Sequence, residues 1–312
     1  VILSGGGNPI LYRCKETGKD FNDVVVAIHQ RGLEIGLITN GMPLKEYSEQ
    51  NPDNNWDEVT RMSWKTVHPN TLDMLTWVRI SMSGLDHKEY EVYVPDVDPT
   101  KTALGFSYVA HDIYVEPADP HHGKVSRPLD ILSGDAARPP DRAFEDRICE
   151  LTDEIMSYVE LHRPRYVRLL PNCLEPSLIA QRCHQLREMA EEINIKTGKD
   201  VVFVQYKPPA APKACYLGYI HPVLNCDGYV YPCDSCVLNE AANHSFANPW
   251  RVCHWSDVAS IYSAPVRSLI ADPGKTCPGC VFTQSNIILG TVVDGTADLT
   301  PPSPTPEHVN FV

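Results

Sequence analysis

The chain has 312 residues and a formal net charge of −13, from 40 Asp plus Glu against 27 Lys plus Arg. Its 43% apolar and 21% charged residues exclude a disordered composition and suit a folded protein of about two domains. No run approaches the roughly 20 apolar residues of a membrane helix, and the acidic balance excludes a broad nucleic-acid or anionic-membrane surface. Binding by bulk charge is thereby excluded, whereas chemistry at a site, or a local basic groove, is not.

In chain order, short apolar runs alternate with amphipathic stretches. The chain opens directly on an apolar run, Val1-Ile2-Leu3, with neither a signal-peptide nor a transit-peptide composition, and reads as one whose first element precedes Val1. That run predicts a buried strand ending at Ser4-Gly5-Gly6-Gly7. Residues 20–31 place Phe21, Val24, Val25 and Ile28 on one helical face, stopped by Gly32. Strands are predicted at 34–39, closed by Asn40-Gly41, and then at 77–82, 105–110 and 165–170. Helices are predicted at 142–162, with a stripe of Phe144, Ile148, Leu151, Ile155 and Val159, and at 176–196. Such alternation implies an α/β fold, a parallel sheet with covering helices.

Residues 111–141 are rich in Pro, Asp and Gly and read as a long loop. A stiff joint follows at Lys207-Pro208-Pro209-Ala210-Ala211-Pro212. Beyond it lie seven of the 11 cysteines, at 215, 226, 233, 236, 253, 277 and 280. Their clustering in a chain of this length, without a signal peptide, points to cytoplasmic metal ligation rather than disulfides. Val223-Leu224 and Tyr229-Val230-Tyr231 are predicted to form a hairpin across Asp227-Gly228, with a type I′ turn. That hairpin would bring Cys215 and Cys233 to neighbouring strand ends. Cys277 and Cys280 form a compact two-ligand turn. Four converging thiolates make a site for an iron–sulfur cluster or a structural zinc, with Cys226 and Cys236 as alternative ligands. Helical periodicity returns at 257–272, and the Pro-rich tail after Gly295 is expected to pack little.

The spacing of Cys215, Gly228 and Cys233 resembles the opening of the SPASM/twitch extension of radical S-adenosylmethionine (radical SAM) enzymes. Asn286 and Gly290 stand where a full SPASM module has its next two cysteines, so the module is similar to the shorter twitch form. Three further stretches resemble the same family. Ser4-Gly5-Gly6-Gly7-Asn8-Pro9 is similar to its glycine motif, with Asn8 where Glu is usual; Ile38-Thr39-Asn40-Gly41 is similar to its Thr-Asn-Gly. Val78-Arg79-Ile80-Ser81-Met82-Ser83-Gly84 resembles a further strand motif, with Ser83 in place of the common Asp. The family's Cys-x3-Cys-x2-Cys loop for the catalytic cluster is absent from these residues, and the resemblance places it upstream of Val1.

The resemblance implies a partial (β/α) TIM-like barrel over residues 1–206, a twitch-type domain over 207–290 and a tail over 291–312. It implies contacts to S-adenosyl-L-methionine from Gly5, Gly6, Gly7, Asn8, Thr39, Asn40 and Ser81. It also implies an auxiliary [4Fe–4S] cluster on Cys215, Cys233, Cys277 and Cys280, and a second cluster on the upstream segment. The expected reaction is reductive cleavage of the cofactor, then hydrogen abstraction from a small-molecule or peptide substrate, with flavodoxin or ferredoxin supplying electrons. Competing readings are a non-catalytic iron–sulfur scaffold and a zinc-stabilised binding module. Arg79 and Arg168 are candidates to clamp a carboxylate or phosphate, or to pair with a structural carboxylate. Asp119, His121 and His122 read as solvated loop residues, with a metal or substrate contact as the alternative. Tyr206, Tyr216, Tyr219 and Tyr231 read as packing, as do Cys14, Cys149, Cys173 and Cys183.

Overall fold

A computed structural model describes residues 1–4, 8–40, 67–86, 92–115, 126–128, 142–172, 177–205, 213–225, 227–237, 250–263 and 282–298. These residues fall into two compact units: one holds 1–172 with 180–205, the other the described residues after Gln205 with 177–179.

The first unit is built on strands β1 (Ile2–Leu3), β2 (Gly36–Thr39), β3 (Trp77–Ser81) and β4 (Ala103–Ala110). After a separate antiparallel pair, β5 (Ile113–Val115) and β6 (Ser126–Pro128), come β7 (Tyr166–Pro171) and β8 (Val202–Val204). The six-stranded sheet has the order β1-β2-β3-β4-β7-β8, with every neighbouring pair parallel. Strands added in chain order make a singly wound sheet, unlike the reversing order of a doubly wound one. Among the described residues β1 and β8 are its two edges.

Helices α1 (Phe21–His29), α2 (Ile148–His162) and α3 (Ile179–Thr197) flank this sheet. The start of α1 is set by a capping box: the Asp20 carboxylate accepts from the Asn22 and Asp23 N–H groups, and Asp23 accepts from the Asp20 N–H. Gly32, with φ +68°, ends the α1 segment. Asn194 near the end of α3 pins edge strand β8, donating to the Val202 carbonyl at 2.9 Å and accepting from the Val201 and Val202 N–H groups.

Side chains alternate across a strand, so the two faces of one sheet can differ in kind. On one face Leu37, Val78, Ile80, Leu104, Phe106, Val167 and Leu169 join Val25, Ile155, Val159, Leu186 and Ile193 of the helices in one buried apolar core. Each such side chain contributes roughly 1.5–3 kcal/mol on burial. The other face carries a smaller cluster of Trp77, Ala103 and Tyr166, with Ile38 and Phe203 packed on it, among polar side chains. Glycines make room there. A Cβ at Gly36 would lie 2.1 Å from the Trp77 ring, and one at Gly105 would lie 2.1 Å from the Tyr166 ring.

The second unit has a three-stranded antiparallel sheet in the order β11-β10-β9, from β9 (Val223–Leu224), β10 (Tyr229–Tyr231) and β11 (Cys253–His254). The hairpin forms, but not around a type I′ turn. A type I′ turn centred on Asp227-Gly228 needs positive φ at both, but of these two only Gly228 has it, +79°, and its N–H donates to the Asn225 carbonyl. Asp227 braces the hairpin from the side, accepting from the Tyr231 hydroxyl at 2.6 Å and from Arg251, whose guanidinium stacks on Tyr229. A helix the sequence did not announce, α4 (Thr283–Val293), completes the described part of this unit.

Other expectations shift in detail. The stretch 142–147 holds a short 3-10 turn before α2 begins at Ile148. The expected loop at 111–141 contributes strands β5 and β6, and the helix at 257–272 is described only over Ala259–Ser263. Cys149 is exposed on α2 and not packed in the core, whereas Cys183 is buried. No helix among the described residues is long and apolar enough to cross a membrane.

Candidate functional site

In a parallel sheet the strand C-termini line one edge, and ligand sites of such folds gather there. Here that edge carries Thr39 and Asn40 at the end of β2, Ser81 at the end of β3, His111 after β4 and Asn172 after β7. Asn8 is brought to the same edge from the β1–α1 connection. The Thr39 hydroxyl donates to Asn8 Oδ1 at 2.8 Å, and the same oxygen accepts from the Ile10 N–H at the start of the turn Pro9–Leu11. With its oxygen engaged twice, Asn8 keeps a buried Nδ2 with no hydrogen-bond partner among the described residues. Ser81 and Ser83 hydroxyls lie 3.3 Å apart just beyond. Of the residues expected to touch a cofactor, Asn8, Thr39, Asn40 and Ser81 therefore share one edge. Gly5, Gly6 and Gly7 lie outside the described residues.

Behind that edge, the face of the sheet opposite the helices holds two arginines. Register sets Arg79 beside Gly105, and Gly105 beside Tyr166; one step further along, Ser81 sits beside Ser107 and Ser107 beside Arg168. Arg79 is 5% exposed and Arg168 8%. Burial, followed by the charge of Arg79, pushes the Arg168 guanidinium down to about 9. Burial also lowers Arg79, and it pushes the Tyr166 phenol up to about 12 against the pull of both arginines.

On the helix side, the strand ends are locked by a network no sequence motif announced. Arg147, just before α2, donates to Asp86 and, at 2.6 Å, to the His111 carbonyl. The Tyr108 hydroxyl donates to Asp86 at 2.8 Å, and His111 Nε2 lies 3.3 Å from the same carboxylate. All four side chains are buried. Burial and the Asp86 carboxylate hold the Tyr108 hydroxyl protonated, far above its ordinary range, and burial disfavours the charged form of His111. The network ties the turn after β3, the end of β4 and the entry to α2 together. Its partners are 22 to 61 residues apart in sequence, which hides it from local reading.

In the second unit Cys215 and Cys236 form a buried cluster with Leu217 and Phe282, and the partly buried Cys233, Trp250 and Leu289 pack against it. Cys233 and Cys236 Sγ atoms stand 3.6 Å apart. Cys226, Cys277 and Cys280 lie outside the described residues, as do Asp119, His121 and His122; among the described residues no group of three or more His, Cys, Asp or Glu forms a metal site. Asn286 has a clear task. Its Oδ1 accepts from the Tyr216 and Leu217 N–H groups at 2.7 and 3.2 Å, so α4 holds the turn that follows Cys215. Tyr231 packs as expected, buried, with its hydroxyl on Asp227. No protein-family model matches this chain, and comparison with curated proteins finds no match.

Proposed function

We propose that this chain belongs to a radical SAM enzyme: its sheet unit serves as a partial (β/α) barrel, and its cysteine unit as a twitch-type module. The observation that carries the reading is the bond between Thr39 and Asn8. It joins two separate motifs of the resemblance at neighbouring strand ends of a singly wound sheet, with Ser81 of the third motif on the same edge. If S-adenosylmethionine were held there, by Asn8, Thr39, Asn40 and Ser81, it would supply radical hydrogen abstraction once given an electron by an iron–sulfur cluster.

The residues present fit such a ligand. Asn8 offers an N–H rather than an acceptor, so it would meet the methionine carboxylate, a role different from that of the usual glutamate. The Ser81 hydroxyl would face a ribose or methionine group. Thr39 fixes the Asn8 amide, and Asn40 adds a polar group beside it. The Asp86–Arg147–Tyr108 network keeps the ends of β3 and β4 at fixed positions while ligand binds. Titration calorimetry with S-adenosylmethionine tests the assignment. Asn8→Ala and Ser81→Ala are each expected to weaken binding about tenfold, roughly 1.4 kcal/mol. A wild-type chain that binds no S-adenosylmethionine contradicts it.

A second reading applies to the cysteine unit. With metal–sulfur bonds of about 2.3 Å, two thiolates on one tetrahedral zinc stand roughly 3.8 Å apart. Thiolates of an iron–sulfur cluster each bind a different iron and stand further apart. The 3.6 Å between Cys233 and Cys236 favours a single ion held by this pair, with Cys236 as a ligand in place of one of the four expected.

A further inference from the structure

Two arginines, both more than nine-tenths buried, share the face of the sheet opposite α1, α2 and α3. They come from β3 and β7, which lie two strand spacings apart, roughly 10 Å. The strand between them presents Gly105 and Ser107 on that face, neither large enough to separate two long side chains. Neither arginine forms an ion pair among the described residues, in contrast to Arg147 and Arg182, whose buried guanidiniums each meet a carboxylate. Arg79 rests over the Trp77 ring, 5.7 Å from its centroid, with the Tyr166 phenol beside it. Buried N–H groups stay without an acceptor: Nε and one Nη of Arg79, and Nε of Arg168. Two buried cations with no counter-charge are unfavourable, and unmade hydrogen bonds add to the cost. An oxyanion would relieve both, because a guanidinium pairs bidentately with carboxylate or phosphate oxygens.

We infer that Arg79 and Arg168 form an oxyanion site on the polar face of the sheet, which takes the phosphate or carboxylate of a bound ligand. The inference stands on that face alone and does not need the radical-enzyme reading, so the test uses unreduced chain with no added cofactor.

Thermal unfolding and titration calorimetry are run on the full chain with inorganic pyrophosphate, against potassium chloride at equal ionic strength. The expected result is a saturable rise in Tm with pyrophosphate. Arg79→Gln and Arg168→Gln each weaken it at least tenfold, the double variant abolishes it, and Arg168→Lys retains part of it. Without pyrophosphate, Arg168→Gln melts no lower than wild type. A further readout is independent of how the variants fold: pyrophosphate changes tryptophan fluorescence in wild type and not in Trp77→Phe. Competition between pyrophosphate and S-adenosylmethionine would assign the oxyanion to the cofactor carboxylate, and simultaneous binding would assign it to a substrate. No pyrophosphate effect beyond that of chloride, or an effect that survives in the double variant, overturns the inference.

Discussion

The same strands of the central sheet build two faces of opposite character. Val78, Ile80 and Phe106 point into an apolar core under α1, α2 and α3, while Arg79, Ser81 and Ser107, their immediate neighbours, line a face with glycines, polar groups and two arginines that have no ion pair among the described residues. On the helix side the buried charges are paired: Asp86 meets Arg147 and accepts from Tyr108, with His111 beside it. On the other side the two arginines have no carboxylate partner among the described residues. The difference teaches that burial alone does not mark a structural residue. A buried charge with its partner holds a fold together, and a buried charge without one points to a ligand.

Substitutions that break this contrast differ in size. Asp86→Ala leaves Arg147 buried without its carboxylate and is expected to cost about 3–5 kcal/mol. Phe106→Ala opens a cavity in the sealed core for a similar loss, about 3–5 kcal/mol. Both would be read as a lower urea midpoint with an unchanged slope. On the polar face Gly105→Ala drives a methyl into the buried Tyr166 ring and should cost about 1–3 kcal/mol by the same assay. Arg168→Met should go the other way. In oxyanion-free buffer it is expected to be neutral or stabilising, by up to about 4 kcal/mol, since it removes an uncompensated cation.

The smallest effect sharpens the contrast through pH. Arg168 is depressed to about 9 in the folded chain against an ordinary value above 12. Between those values the unfolded chain holds the extra proton, so this group's contribution to stability rises with pH. Wild type should therefore gain on Arg168→Met as pH rises above about 9, and oxyanion binding should weaken over the same interval. A constant gap between the two proteins would show that Arg168 is not depressed.

How much of this was legible in the sequence depends on the range of the interactions. Alternating runs such as Val78-Arg79-Ile80-Ser81 and the Asp20 cap are local signals, and the sheet and α1 follow from them. Strand β8 was hidden because Val202-Phe203-Val204 is a short run beside the Pro-rich joint, and its place is fixed by Asn194 and by pairing with β7. Helix α4 escaped because its apolar residues do not form a single stripe: Ile287 and Ile288 are exposed, while Asn286 is buried. Asn286 could be read only as a missing cysteine, since its partners Tyr216 and Leu217 lie about 70 residues away. Of the site, Asn8, Thr39 and Ser81 were legible as motif residues. That Arg79 and Arg168 meet no carboxylate among the described residues, by contrast, belongs to tertiary structure alone.

The measurement that bears most directly on the proposed function is metal and sulfide analysis of anaerobically purified chain, with an absorption spectrum. The radical-enzyme reading predicts a brown protein with about four irons and four sulfides per chain, lost in Cys233→Ala, whereas the single-ion reading of Cys233 and Cys236 predicts neither. A colourless protein with one zinc and no iron would contradict the radical-enzyme reading and leave the cysteine unit as a structural zinc module.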